Sequence, residues 1–311
     1  MNFILDFTYP KLLILYYHLI GILSVLLNTL GIYLLQTQCK KLGTSRYWLL
    51  SYQVLCYITD IFFTLLMQPV PLYPLVAVYT VGVLSDWFGI PPVALSYIVC
   101  DLIAVQFTFL AVSFIKKHRT VASLSNSLAF PKHSDIVILV ALVLGVVLGD
   151  SYVLSMRLSR EDQWKLVNEL VPHYVDGFRS LPNFEIFPKT SQMNYSLYIL
   201  LAFAISVLTP MIFVVLDTFR KLHQLKQKIA KVNYQRHAEG VICLIVQVGT
   251  AGLSIAPIIR LGISIIFDHP DAQKVSEFCL AWFSTHSSFN MIALLMFFPP
   301  YKMFIKKHTK G

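Results

Sequence analysis

The sequence predicts an all-α membrane protein, a single domain over residues 1–311 built as a bundle of seven transmembrane helices with its N-terminus outside and its C-terminus inside. Three observations carry this. Of 311 residues, 56% are hydrophobic and only 13% are charged, about half the charged share of an ordinary soluble domain. Seven apolar runs, each near the roughly 20 residues that a spanning helix needs, divide the chain. The Lys and Arg residues behind the net charge of +9 sit mostly in short clusters between those runs. That pattern is cytoplasmic anchoring rather than one basic face for nucleic acid.

Residues 12–35 form the first span, with Asn28 deep inside it. A run of about 24 apolar residues with no small-residue cleavage site after it reads as a retained span rather than a cleavable signal. Residues 47–68 form the second, with Asp60 near its middle. Pro69, Pro71 and Pro74 then remove backbone donors and clash with a continuing turn, so the helix is expected to stop near Gln68. The apolar stretch that follows, 72–84, has about 13 residues and is too short to cross. It is expected to cover the outer helix ends, or to re-enter partly, packed on protein.

Residues 92–115 form the third span, closed by Lys116, Lys117, His118 and Arg119. Residues 136–155 form the fourth, with Ser134 and Asp135 as expected caps. A mixed-charge loop follows, and residues 195–216 give the fifth span, which carries Pro210. The spacing of Leu222, Leu225, Ile229 and Val232 among Lys221, Lys226, Lys228 and Lys231 predicts that this helix runs on as a basic amphipathic rod. Residues 241–263 give the sixth span, with Pro257 and Arg260 in its outer third, and 279–298 the seventh. The tail from Tyr301 is predicted to lie along the membrane surface as a short amphipathic helix.

The distribution of charge tests this topology. With seven spans, segments 36–46, 116–133, 218–239 and 299–311 share one side and carry 17 Lys or Arg, against seven on the other. Counting 72–84 as an eighth span mixes the sides, so the positive-inside rule favours seven. The five cysteines (39, 56, 100, 243 and 279) lie mostly in apolar runs, and the loop 158–194 has none. They read as buried free thiols rather than a disulfide framework.

Polar groups within spans are costly and mark either function or packing. Asp60 must face the bundle and find a partner, with Asn28, Asn290 and Ser287 as candidates. The functional reading is a polar switch or sodium-like site joining helices one, two and seven; the other is a packing contact. Asp101, Gln106, Asp150, Gln247, Arg260 and His286 either line a ligand cavity or pack helices. Pro210 and Pro257 either mark kinks that let helix ends swing or are merely tolerated. No HExxH, Gly-rich phosphate loop, GxSxG or paired-Cys zinc spacing is present, so neither an enzyme, a metal site nor a cofactor is expected. A small transporter is the rival reading. It predicts an inverted repeat with paired broken helices, and the sequence has neither; a membrane protein without ligand is a third.

The rhodopsin-like marks are missing: helix three ends without Asp-Arg-Tyr, and helix seven lacks Asn-Pro-x-x-Tyr. The sequence instead resembles the nematode serpentine chemoreceptors, class I and the closely similar class H, over nearly its whole length. The carriers are Tyr16-Tyr17-His18, Leu27-Asn28, Gly31-Ile32-Tyr33, Thr59-Asp60, His286-Ser287 and Pro300-Tyr301-Lys302. The most specific is the run from Leu66 to Pro74 containing Gln-Pro-Val-Pro-Leu-Tyr-Pro, followed by Gly82. Where these families have Pro-Tyr-Arg and an Arg-His pair, this chain has Lys302 and Lys117-His118. The resemblance implies a chemosensory G-protein-coupled receptor in the membrane of sensory cilia, with a small-molecule ligand and a heterotrimeric G protein as partners. Lys117, His118, Arg119, Arg220, Lys221, Lys228 and Arg236 gather at the cytoplasmic helix ends, with Tyr301 and Lys302 beside them. They are the expected coupling residues, or else anchors against anionic lipid.

Overall fold

The computed structural model of the protein describes residues 3–266 and 271–308. In chain order it comprises α1 (Lys11–Thr37), α2 (Ser45–Ile61), β1 (Pro69–Pro71), β2 (Val76–Thr80), α3 (Val83–Phe88), α4 (Pro92–Leu124), α5 (Ser134–Ser155), α6 (Arg160–Leu170), α7 (Val175–Arg179), β3 (Glu185–Phe187), α8 (Ser191–Leu225), α9 (Lys231–Ile266), α10 (Ala272–Ser284), α11 (His286–Phe297) and α12 (Pro299–His308). By length and composition α1, α2 with the turn that extends it, α4, α5 and α9 can each cross a membrane. The pair α10–α11, bent by 43°, is long and apolar enough to make a sixth if it crosses as one broken span, and α8 holds the apolar run 195–216.

Five features go beyond the simplest reading of the sequence. The second helix ends in a π-helical turn, Phe62–Met67, and Gln68 leaves it in the left-handed region at φ 45°. The stretch after it is neither helix nor crossing. β1 and β2 pair antiparallel, with Val70 opposite Tyr79, and β3 from the long loop joins β2, with Ala77 opposite Ile186. At about 3.3 Å per residue these strands cannot span the roughly 30 Å hydrocarbon core. They bury Val70, Leu72, Ala77, Tyr79 and Ile186 against the helices. Gly82 fits where its backbone crosses the second helix end: an added Cβ would stand 2.6 Å from the Met67 carbonyl carbon.

The caps and the rod are corrections. Ser134 and Asp135 do not cap α5, whose N-cap is His133 with no side-chain hydrogen bond; Asp135 turns instead to Lys116, at 2.8 Å, and to Arg119. The rod is broken: α8 stops at Leu225, 226–229 turn, and α9 begins at Lys231. An antiparallel return against α8 buries Leu222 and Leu225 but leaves Val232 exposed. Finally, the seventh span bends at Thr285 rather than running straight.

α2 packs between α1 and α4, α4 meets α5, α8 and α9, and α9 packs on α10 and α11. α5 has no buried residue, so its apolar surface faces lipid. Two apolar clusters fill the bundle. One lies at the sheet end around Tyr17, Phe63, Leu72, Phe178 and Ile186, the other at the opposite end around Leu34, Phe114, Met291, Phe298 and Tyr301. Four cysteines are buried and free, while Cys100 is exposed and free.

Candidate functional site

Between the two clusters, each of α1, α2, α4, α9 and the α10–α11 pair contributes polar side chains, and these form one connected layer. Ser24 Oγ donates to Asp60 Oδ2. Asn28 Nδ2 donates to Ser24 Oγ at 2.8 Å, and Asn28 Oδ1 accepts from Ser287 Oγ at 2.9 Å and from Gln53. Gln53 Oε1 accepts from Asn290 at 3.5 Å, and Asn290 Oδ1 accepts from Thr250 on α9 at 3.0 Å. Asp60, 1% exposed, also faces His286 Nδ1 at 3.3 Å. A buried carboxyl group needs hydrogen-bonding partners; here Oδ2 has one in Ser24, while Oδ1 has no hydrogen bond among the described residues. Gln106 on α4 donates to Thr59 and extends the layer. Gln247 on α9 is fully buried, and neither of its amide atoms finds a hydrogen-bond partner among the described residues.

A cavity opens beside this layer, lined by Tyr52, Ile103, Gln106, Phe107, Ser254 and His286 among others. It measures about 20 Å³, room for about one water molecule. The His286 ring stacks on Phe283 at 5.2 Å and 15°, and Phe283 meets Phe63 edge-on. Of the sequence-predicted ligand residues, Gln106 and His286 meet here, and Asn28, Asp60 and Asn290 join through the layer. Asp101 on α4 and Asp150 on α5 do not line this cavity. Arg260 donates to Ser264 of its own helix at 2.8 Å. Pro257 is buried and Pro210 exposed, each inside a continuous helix. Sequence reasoning missed Ser24, Gln53 and Thr250. Their signal was helical spacing, since Ser24 and Asn28 are four apart and Gln53 lies two turns before Asp60.

At the end away from the sheet, the basic residues are tied rather than free. His118, 3% exposed, meets Asp217 Oδ2 at 2.8 Å, and Lys221 meets the same oxygen at 2.7 Å. This joins α4 to α8. Lys117, 5% exposed, lies against Gly240 of α9 with His237 Nδ1 at 3.5 Å. Arg119 donates to the Pro131 carbonyl at 2.6 Å. Tyr301 is fully buried, and its hydroxyl donates to the Gly31 carbonyl at 3.0 Å. Arg220, Lys228 and Lys302 are exposed, and the side chain of Arg236 lies outside the described residues.

Seven helices around a buried polar layer, one end covered by a small sheet and the other basic, define a multi-pass seven-transmembrane protein of receptor type. From residue 3 to 305 the chain matches the family described as the serpentine type 7TM GPCR chemoreceptor Sri, and it belongs to that family. This is a family of receptors, not of enzymes. Among curated proteins, no sequence matches it.

Proposed function

We propose that this protein is a chemosensory receptor that binds a small environmental chemical or pheromone and activates a heterotrimeric G protein. The single observation that carries this reading is the family match across residues 3–305. The finer resemblance, to the class I receptors of nematodes, rests on the Gln68–Pro74 run and its partner Gly82. On this reading the N-terminus and the sheet lie outside the plasma membrane of a sensory cilium, and the basic end lies in the cytoplasm.

The geometry supports a receptor held in a resting arrangement. A cavity of about 20 Å³ is too small for an organic ligand, whose sites typically measure about 300–1,000 Å³. Ligand entry beside His286 and Gln106 therefore has to move α9 or the α10–α11 pair. Gln247 offers unused hydrogen-bonding capacity to whichever new arrangement forms. At the other end, His118, Lys117, Arg119 and Lys221 are engaged within the protein. Arg220, Lys228 and Lys302, together with Arg236, complete the surface on which the G protein is proposed to act once the first group is released, and the buried Tyr301 is proposed to act through its bond to α1. A ligand drives such a change only by binding one arrangement better than the other.

The test is expression in sensory neurons that carry a calcium reporter, challenged with a panel of odorants and conspecific secretions. A response that needs both the receptor and a functional Gα subunit is expected. Responses that persist without Gα, or currents carried by the receptor alone, would overturn the reading.

A further inference from the structure

A larger cleft, of about 590 Å³, lies beyond the span ends, where the start of α4, the end of α5, the start of α6 and the segment before β3 meet. Its volume is that of a small-molecule site. The polar wall sets two exposed arginines, Arg157 and Arg160, on two buried side chains. Glu185 and Gln163 are each 2% exposed, and Glu185 Oε1 accepts from Arg157 Nε at 2.8 Å and from Gln163 Nε2 at 3.1 Å. Arg160 donates through Nη1 to the Phe184 carbonyl at 2.8 Å and to Gln163 Oε1 at 3.3 Å, with its guanidinium 4.0 Å over the Phe184 ring.

Two guanidiniums thus face one carboxylate. Each has five N–H donors, and the bonds just named account for only part of them. The hydrogen bond to Glu185 raises the pKa of Arg157, and desolvation lowers that of Arg160; both remain cationic. Pro91, Pro92, Leu154 and Leu158 form an apolar wall beside this net positive charge.

We infer that this cleft binds a small organic monoanion, a carboxylate on a short apolar body, with Arg157 and Arg160 receiving the carboxylate. The guanidinium fork matches a carboxylate in shape, and one excess positive charge matches one negative charge. As a second seat for the receptor's ligand, separate from the cavity beside His286, the inference rests on the function proposed above; as a binding site it stands without it.

The test uses the full-length protein in phosphatidylcholine nanodiscs, titrated with octanoate and with octanamide, its neutral counterpart. Binding is read from tryptophan emission, since Trp164 lies 5.8 Å from the Arg160 guanidinium, and from the melting temperature. Octanoate is expected to bind at least about tenfold tighter than octanamide, because hydrogen bonds to a charged group are worth more than neutral ones. Arg160→Gln should remove most of that preference. Glu185→Gln removes the competing carboxylate and should tighten octanoate several-fold, an outcome that a merely damaged fold cannot produce. Equal binding of the two probes, or octanoate affinity unchanged in both variants, would overturn the inference. So would loss of the octanoate response on adding phosphatidylserine to the nanodisc, which would assign the cleft to lipid headgroups. Octanoate binding without any cellular response would uphold the cleft as a binding site and show that it is not where the receptor's ligand acts.

Discussion

Replacing His286 by Ala should cost far more in the native protein than in one that lacks the charge on Asp60. The carboxyl group is 1% exposed and has three side-chain neighbours, the Ser24 and Ser287 hydroxyls and His286 Nδ1 at 3.3 Å. Removing one partner of a buried pair typically costs about 3–5 kcal/mol, because the other is left uncompensated. The lost ring, stacked at 5.2 Å on Phe283, also enlarges a cavity already of about 20 Å³. Asp60→Asn keeps the shape and the acceptor for Ser24 while removing the charge, so it should change stability by only about 1 kcal/mol. In the double variant, His286→Ala should cost about 2 kcal/mol less than it does alone, a coupling within the range seen for contacting residues. Denaturation of the four proteins in matched micelles measures the cycle. Additive effects would refute the view that His286 is what makes Asp60 tolerable.

Gly82→Ala should destabilise by about 1–3 kcal/mol, the usual cost of overpacking, because the new methyl meets the backbone of Leu66 and Met67 rather than a movable side chain; denaturation again reads it, and a silent variant would remove the packing argument. Leu170→Thr creates a sequon at the exposed Asn168 and should be glycosylated in cells, whereas Leu128→Thr, which does the same at Asn126 on the opposite side, should not be. The reverse pattern would invert the proposed topology. Asp217→Asn removes the carboxylate that ties His118 of α4 to α8 and should raise ligand-independent G-protein signalling at matched surface expression; unchanged basal signalling would show that this clamp does not restrain the resting state.

The helices were legible because lipid leaves no other way to satisfy the backbone of a long apolar run. The sheet was not: two of the three β1 residues are proline, and β3 joins from more than 100 residues away, so no local pattern announces it. The bend at Thr285 has neither Pro nor Gly. Ser284 Oγ and Thr285 Oγ1 each donate to the carbonyl three residues back, at 2.7 Å, and such local bonds compete with the helical ladder. Asp60, Asn28, Asn290, Gln106 and His286 stood out as residue types that lipid disfavours. Ser24, Gln53 and Thr250 were easier to overlook, though the layer depends on them equally. Counting positive charge grouped the basic residues at one end of the bundle but did not reveal the burial of His118 and Lys221, which meet Asp217, an acid that the charge count passed over.

The polar layer between the two apolar clusters behaves like the detent in a ratchet. Apolar surfaces can slide past one another by small amounts at little cost, but a helix that rotates through the layer must trade whole hydrogen bonds. Each bond broken without a replacement costs about 1–3 kcal/mol, and at about 1.4 kcal/mol per factor of ten intermediate positions are scarcely occupied. On the receptor function proposed above, a stimulus at the covered end would therefore reach the basic end as a step and not as a gradient.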